Sequence, residues 1–176
     1  MKNMHKLIFR RLIAYGLDYV IIVGYALLLF GMTIILNLKE LALTPISGQF
    51  LGFFSLTLPV FLYFFLSEKS KLRATVGKRI MNISVVSQSD KTKPRILQRN
   101  ILKFLPWEIA HTGVHWIVFY SNYENGVPIW VWILLILPQI IMVIYLFSIV
   151  ISKGESSVYD KIANSKIKVT SVQHRL

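Results

Sequence analysis

The sequence predicts an all-α membrane protein, a four-span bundle of transmembrane helices with a basic loop. Hydrophobic residues make up 55% of the 176-residue chain, which is more than a soluble domain of this length usually contains. The apolar residues gather in four long segments, and the basic residues lie almost entirely between and beyond these segments. We expect the segments to form one membrane domain over residues 1–176.

The four candidate spans differ in how apolar they are. They lie at residues 12–36, 48–66, about 97–120 and 129–151. The first, second and fourth exceed the roughly 17 residues that a helix needs to cross a bilayer. The third contains Lys103, Pro106 and Glu108 as well as two histidines, so its hydropathy alone ranks it below the others.

The basic residues predict how the spans are oriented. Every Lys and Arg except Lys39 precedes the first span, lies between the second span and the core of the third, or follows the fourth. Cytoplasmic segments of membrane proteins carry an excess of Lys and Arg, so the pattern favours four spans with both termini in the cytoplasm. A three-span chain would place the basic tail, 152–176, opposite the other basic residues.

Residues 67–99 form the main loop that this pattern places in the cytoplasm. Within it Ile83–Val86 has the composition of a short strand, and Ile167–Thr170 in the tail alternates in a similar way. The two stretches predict a small β-pairing between loop and tail. We expect Gly77 to permit a turn before the first strand, and Lys78 and Arg79 to face anionic lipid headgroups.

Charge and cysteine content exclude several kinds of site. The net charge of +12 would suggest a nucleic-acid partner in a soluble chain. In a membrane chain the same charge favours anionic lipid headgroups, and we expect no nucleic acid. The absence of cysteine excludes disulfides, thiolate metal sites and cysteine nucleophiles. We expect no cofactor.

Asp18 lies inside the first apolar segment. A carboxylate there costs roughly 2.5–3.5 kcal/mol on membrane-insertion scales, so it needs compensation. Arg11 precedes it by seven residues, nearly two helical turns, and the two side chains therefore share a helix face. We expect Asp18 to face the bundle interior or a wet cavity. It either handles an ion there or accepts hydrogen bonds that only fix helix packing.

Three polar side chains also share one stripe of the third segment. Glu108, His111 and His115 follow the offsets 0, 3 and 7 of a helix face. Glu108 and Asp18 lie at similar depths on helices that run in the same direction, so Asp18, Glu108 and His111 form a candidate cation or proton site. Interhelical hydrogen bonding is the plainer alternative. A metal site at Glu108, His111 and His115 is the weaker one.

Asp160 follows the fourth span, on the side where Arg11 is expected. A carboxylate among many cations pairs naturally with one of them. We therefore expect an ionic contact between Arg11 and Asp160. The alternative is a solvated charge that contributes little to stability.

Three motifs follow one another in order along the chain. They are Arg11-x-x-Ala14-x-x-x-Asp18, the stretch from Ala74 through Gly77-Lys78-Arg79 to Val86, and Tyr159-Asp160-Lys-Ile-Ala163. Together they resemble the RDD family of small bacterial membrane proteins. The resemblance covers about residues 8–170 and implies that Arg11, Asp18 and Asp160 are the arginine and two aspartates of the family name. The sequence departs from the family pattern in lacking a threonine just after Ala163. Glu108, His111 and His115 receive no role from the family.

Some family members are linked to sodium–proton exchange, so the resemblance implies a transporter. Other members are similar to accessory or scaffold domains, which implies a non-transporting role instead. Our first hypothesis is a non-enzymatic transporter, or transporter component, for a cation or proton. It would lie in the bacterial plasma membrane and form a homo-oligomer or join a membrane partner. The alternatives are a non-catalytic scaffold and, more weakly, a membrane-embedded metal enzyme.

Overall fold

The computed structural model describes residues 4–37, 44–121 and 126–170. Long helices dominate it, and short elements gather at one end. The elements are α1 (Met4–Ile35), α2 (Pro45–Gly52), a π-helical turn (Phe53–Thr57), α3 (Leu58–Lys69), α4 (Val76–Ile80), β1 (Ile83–Ser87), α5 (Ile96–Tyr120), α6 (Ile129–Ile151), α7 (Val158–Ile162) and β2 (Ser165–Val169).

Helix α1 is longer than a bilayer requires. Its 32 residues extend about 48 Å at 1.5 Å per residue, against about 30 Å of hydrocarbon. The surplus lies at its basic start, which contains Arg10 and Arg11. Most of its apolar side chains point outward, including Val20 and Leu28, each 70% exposed. An apolar helix surface of this kind suits a lipid environment.

Helices α2 and α3 form one continuous rod interrupted by the π-helical turn. Thr44 caps its start by accepting a hydrogen bond from the Ser47 amide. Pro59 has no N–H, so the Ser55 carbonyl one turn earlier loses its usual helical donor. The Tyr25 hydroxyl of α1 donates to that carbonyl at 2.6 Å. A side chain from another helix thus replaces the missing backbone hydrogen bond.

The same arrangement occurs where α5 packs on α6. Pro106 lies inside α5 and deprives the Leu102 carbonyl of its donor. The Tyr145 hydroxyl of α6 donates to it at 3.0 Å. Further along, Gly113 lets the two helices approach, since a Cβ at this position would lie 2.9 Å from a methyl carbon of Leu135.

The short elements pack against the basic end of α1. Strands β1 and β2 pair antiparallel, with Val85 opposite Ile167, and Ala14 of α1 completes their small apolar core. The predicted pairing between loop and tail is therefore confirmed, over Ile83–Ser87 and Ser165–Val169. Helices α4 and α7 each precede a strand and are capped at their starts by Thr75 and Ser157.

Three helices in the described residues are long and apolar enough to cross a membrane. They are Lys6–Ile35, Pro45–Lys69 and Ile129–Ile151, and they correspond to the first, second and fourth predicted spans. The third predicted span is a helix of 25 residues, but its charged residues and histidines lower its hydropathy and it is not in that set. Parts of the predicted segments around 37–47 and 121–128, and the tail beyond residue 170, lie outside the described residues.

Candidate functional site

Arg11 of α1 reaches the tail that follows α6. Its Nη2 lies 2.5 Å from Asp160 Oδ2 and also donates to the Tyr159 hydroxyl at 3.0 Å. Its Nη1 donates to the Gly154 carbonyl at 3.1 Å. Neither Arg11 nor Asp160 has any exposed surface. The ionic contact expected between these two residues is thus present, and it is buried.

The contact belongs to a longer row of charges, which we call the ionic chain. It consists of Lys78, Glu68, Arg99, Asp160 and Arg11, in that spatial order. Arg99 Nε donates to Asp160 Oδ1 at 2.7 Å, and both Arg99 and Lys78 bind Glu68. All five side chains are fully buried. Each carboxylate lies between two cations, which a buried charge requires.

The ionic chain shifts the proton affinities of its members. Burial by itself would raise the pKa of Asp160, but Arg99 and Arg11 outweigh it and lower this pKa to about 2. Burial lowers the pKa of Lys78, and Glu68 opposes that shift. Asp160 is further held by the Ser157 amide, which donates to its Oδ2 at 2.9 Å. Asp160 is therefore an anion throughout the physiological pH range.

Asp18 binds a separate set of donors. The Tyr63 hydroxyl donates to its Oδ1 at 2.8 Å, the Gly77 amide donates to the same oxygen at 2.9 Å, and the Thr75 hydroxyl donates to Oδ2 at 2.6 Å. The carboxylate lies at the start of α4 and has no exposed surface. Three hydrogen bonds offset the cost of burying it, and they fasten the loop after α3 onto α1.

Gly77 is required by this contact rather than by a turn. A Cβ at Gly77 would lie 2.1 Å from the Ala14 carbonyl oxygen and 3.0 Å from Asp18 Oδ1. Because the overlapped atom belongs to the backbone, α4 would have to move away from α1 to relieve it. Arg11, Ala14 and Asp18 therefore form one face of α1, which receives both the loop and the tail.

The third set of polar residues lies where α2 packs on α5, and we call it the polar stripe. It comprises Gln49, Glu108, His111 and His115, and Gln49 Nε2 donates to Glu108 Oε1. The rings of His111 and His115 are 4.7 Å apart between centroids. They lie over Gly52 and Gly48, where a Cβ would come within 2.5 Å and 2.9 Å of them. These two glycines make room for both imidazoles.

Much of the polar stripe's hydrogen-bonding capacity is unused within the described residues. Glu108 Oε2, Gln49 Oε1, His111 Nδ1 and His115 Nε2 are all buried without a hydrogen-bond partner there. Beside His115 is a cavity of about 590 Å³ between α2 and α5. Buried polar atoms without partners are costly, so stability alone does not explain this stripe.

A comparison with protein-family models matches residues 6–164 to the RDD family. The chain belongs to the RDD family. No curated protein and no solved structure matches it. The matched range contains the ionic chain, Asp18 and the polar stripe. Together with its three long apolar helices, membership indicates that this RDD protein is a membrane protein.

Two sequence-based predictions need correction for the RDD protein. Lys78 does not face lipid headgroups, because its side chain is fully buried against Glu68. Arg79 is exposed, and its contact with headgroups stays a prediction. Asp18 does not join Glu108 and His111 in one cluster. Asp18 is hydrogen-bonded to α3 and the start of α4, whereas Glu108 binds Gln49.

The weaker alternative, a metal site at Glu108, His111 and His115, is not supported either. Across residues 4–37, 44–121 and 126–170, no three His, Cys, Asp or Glu side chains come together as a group able to hold a metal ion. Glu108, His111 and His115 follow one another along a single helix, and one helix supplies only part of a coordination shell.

Two residues of the ionic chain escaped the sequence reasoning. Glu68 was not among the candidate residues, and Arg99 was counted only among the basic residues that indicate orientation. A signal was available for Glu68, since it lies two residues beyond the second predicted span in a chain with only eight acidic residues. A rare carboxylate beside many cations is a good candidate for a buried ionic contact. Arg99 gave no comparable signal among its basic neighbours.

Proposed function

We propose that this RDD-family chain is a small multi-spanning membrane protein that moves protons, or a cation in exchange for protons, across the bilayer. The observation that supports the proposal is the polar stripe with its unpartnered buried atoms. Ionisable groups at membrane depth generally mark ion or proton pathways.

The polar stripe has the composition of a proton relay. Imidazole accepts and releases protons near neutral pH, and the rings of His111 and His115 adjoin each other, with centroids 4.7 Å apart. Glu108 lies one helical turn from His111 and keeps one carboxylate oxygen without a partner. The cavity beside His115 offers a route to the stripe from outside the bundle.

The proposal includes a topology. Helix α5 acts as a fourth span despite its charges, because the ionic chain removes Arg99 from lipid. Both termini then lie in the cytoplasm of a bacterial cell, as the distribution of Lys and Arg favours. Four spans offer little room for a complete pathway, so we expect a homo-oligomer or a membrane partner.

A second candidate function is supported by a different observation. Both oxygens of Asp18 and of each carboxylate in the ionic chain have partners, as expected of groups that hold the loop and the tail on the bundle. A scaffold that binds another membrane protein through the short elements at the basic end of α1 would need only these stabilising contacts. Under that reading the polar stripe contributes helix packing alone.

Flux measurements on the purified protein in proteoliposomes separate the two functions. We expect the wild type to dissipate an imposed pH gradient, with or without a sodium gradient, as reported by an internal pH-sensitive dye. Glu108→Gln removes the titratable group while keeping the shape, and its flux should fall to that of protein-free vesicles.

Matched variants keep the flux test specific. Glu155→Gln changes an exposed carboxylate after α6 and should leave flux unchanged. Asp18→Asn should lower the yield of folded protein more than the flux per folded molecule, because Asp18 is an anchor. Wild-type flux equal to that of empty vesicles, or full flux in Glu108→Gln, would reject transport through the stripe and favour the scaffold.

A further inference from the structure

A second cavity lies inside the bundle, away from the polar stripe. It has a volume of about 520 Å³ and is enclosed by α1, α3, α5 and α6. Most of its wall is apolar, and it includes Phe64, Ala110 and Pro138. We call it the bundle cavity. Its volume is within the range of roughly 300–1,000 Å³ that is typical of small-molecule sites.

The bundle cavity reaches the outer surface of the helices. Leu12, Tyr19 and Leu146 line it and are also 44–54% exposed. In a membrane these side chains would meet the lipid chains, so the cavity is accessible laterally from the hydrocarbon region. A ligand with an alkyl chain can therefore enter without crossing water.

One wall of the bundle cavity carries a side-chain amine. Lys103 of α5 lines the cavity, and its Nζ is buried without a hydrogen-bond partner in the described chain. The Nζ lies 3.4 Å from the ring centroid of Phe64 and 5.4 Å from that of Tyr15. Aromatic faces attract a cation, but they replace only part of its hydration. A desolvated ammonium favours an anion above all.

The carboxylates of Glu68, Asp160 and Asp18 already bind other groups. Glu68 and Asp160 each bind two cations of the ionic chain. Asp18 accepts three hydrogen bonds of its own. Arg11, Lys78 and Arg99 balance these three anions in number, and Lys103 forms an ion pair with none of them. The ligand that complements this site has one negative charge and a long apolar part.

We propose that the bundle cavity binds one long-chain fatty acid, with its carboxylate on Lys103 and its alkyl chain along the apolar walls toward Pro138. One ammonium matches one carboxylate, and a cavity of about 520 Å³ matches one chain rather than the two of a phospholipid. This proposal does not depend on the proposed transport function.

Direct binding to the purified full-length protein in detergent tests the assignment. Tritiated hexadecanoate should bind saturably to the immobilised wild type. Lys103→Met keeps the length of the side chain but removes its charge, and should weaken binding roughly 10- to 150-fold, as expected for a lost charge-assisted hydrogen bond. Lys93→Met, at an exposed loop position, is the matched control and should bind as the wild type does.

Two further measurements test the proposal even if the Lys103→Met variant misfolds. Ala110→Phe places a ring in the cavity and should abolish binding while retaining Lys103. Methyl hexadecanoate, which has no charge, should compete poorly on the wild type. The proposal is overturned by the absence of saturable binding, by equal competition from the methyl ester, or by full binding in a folded Lys103→Met variant. Competition by phosphatidylglycerol equal to that of hexadecanoate would also overturn it, in favour of a phospholipid.

Discussion

At the scale of single residues, Arg99 is the centre of the ionic chain. Its guanidinium contacts both Glu68 and Asp160, and Arg99 also lies over the ring of Tyr159 at 5.4 Å. No other residue of the ionic chain contacts two carboxylates. Lys78 and Arg11 are each paired with only one of them. Losing Arg99 would therefore divide the ionic chain into two parts.

We expect Arg99→Met to destabilise the protein by about 3–5 kcal/mol, because it leaves two buried carboxylates short of a cation. Thermal unfolding of the purified protein, followed by its circular dichroism, measures the loss. Arg95→Met removes an exposed arginine one turn earlier and should change the melting temperature little. A similarly small change in Arg99→Met would contradict the structural importance of the ionic chain.

The pKa of Asp160 predicts an acid limit to stability. Its folded-state pKa is about 2, whereas an unfolded aspartate titrates near about 3.9. The unfolded chain therefore takes up the proton first. The stabilisation of about 2–3 kcal/mol from this one group is complete above about pH 5 and is lost as the pH falls toward 2.

The melting temperature measured from pH 7 to pH 2 tests this dependence. Asp160→Asn should be less stable at pH 7 and should show a flatter decline below pH 5. Asp90→Asn, at an exposed loop position, should follow the wild-type curve. Parallel curves for Asp160→Asn and the wild type would show that Asp160 does not carry this acid sensitivity.

At the scale of elements, a tyrosine hydroxyl twice replaces the backbone hydrogen bond that a helix proline removes. Pro59 and Pro106 each free a carbonyl, and Tyr25 and Tyr145 from other helices donate to these carbonyls. In hydrocarbon no water replaces a lost backbone hydrogen bond. The hydroxyls therefore fix the registers of α1 against the π-helical turn and of α6 against α5.

We expect Tyr25→Phe to destabilise the bundle by about 1–3 kcal/mol, the cost of leaving a buried carbonyl without a donor. The unfolding midpoint in a denaturing detergent measures the change. Tyr19→Phe removes a hydroxyl from a side chain that is 54% exposed and serves as the control. Equal midpoints for both variants would mean that the Ser55 carbonyl finds another donor.

Elements were more predictable from the sequence than contacts between them. The helices at 12–36, 48–66, 97–120 and 129–151 and the paired strands follow from apolar length and alternation, which depend on local sequence. The partners of Asp18 do not. Tyr63, Thr75 and Gly77 lie 45, 57 and 59 positions away, and periodicity reports only which side chains share a face. The sequence therefore identifies Asp18 as a carboxylate that needs partners, but it does not identify the loop that supplies them.

At the scale of the whole molecule, one face of α1 joins the bundle to its folded end. Arg11 receives the tail, Ala14 receives Gly77 and the β-strand core, and Asp18 receives the loop. This arrangement explains why the three ordered motifs predicted the family although each is short. They are distant in sequence and meet at this one face.

The ionic chain also has a consequence for the order of events during synthesis. Lys78 follows Glu68 by 10 positions, whereas Asp160 follows Arg11 by 149. At about 5–20 residues per second, Arg11 is made about 7–30 s before its carboxylate. Glu68 and Lys78 can pair almost at once, Arg99 joins them next, and Asp160 arrives last. The tail that carries Asp160 therefore completes charge neutralisation only after all the long helices have been made.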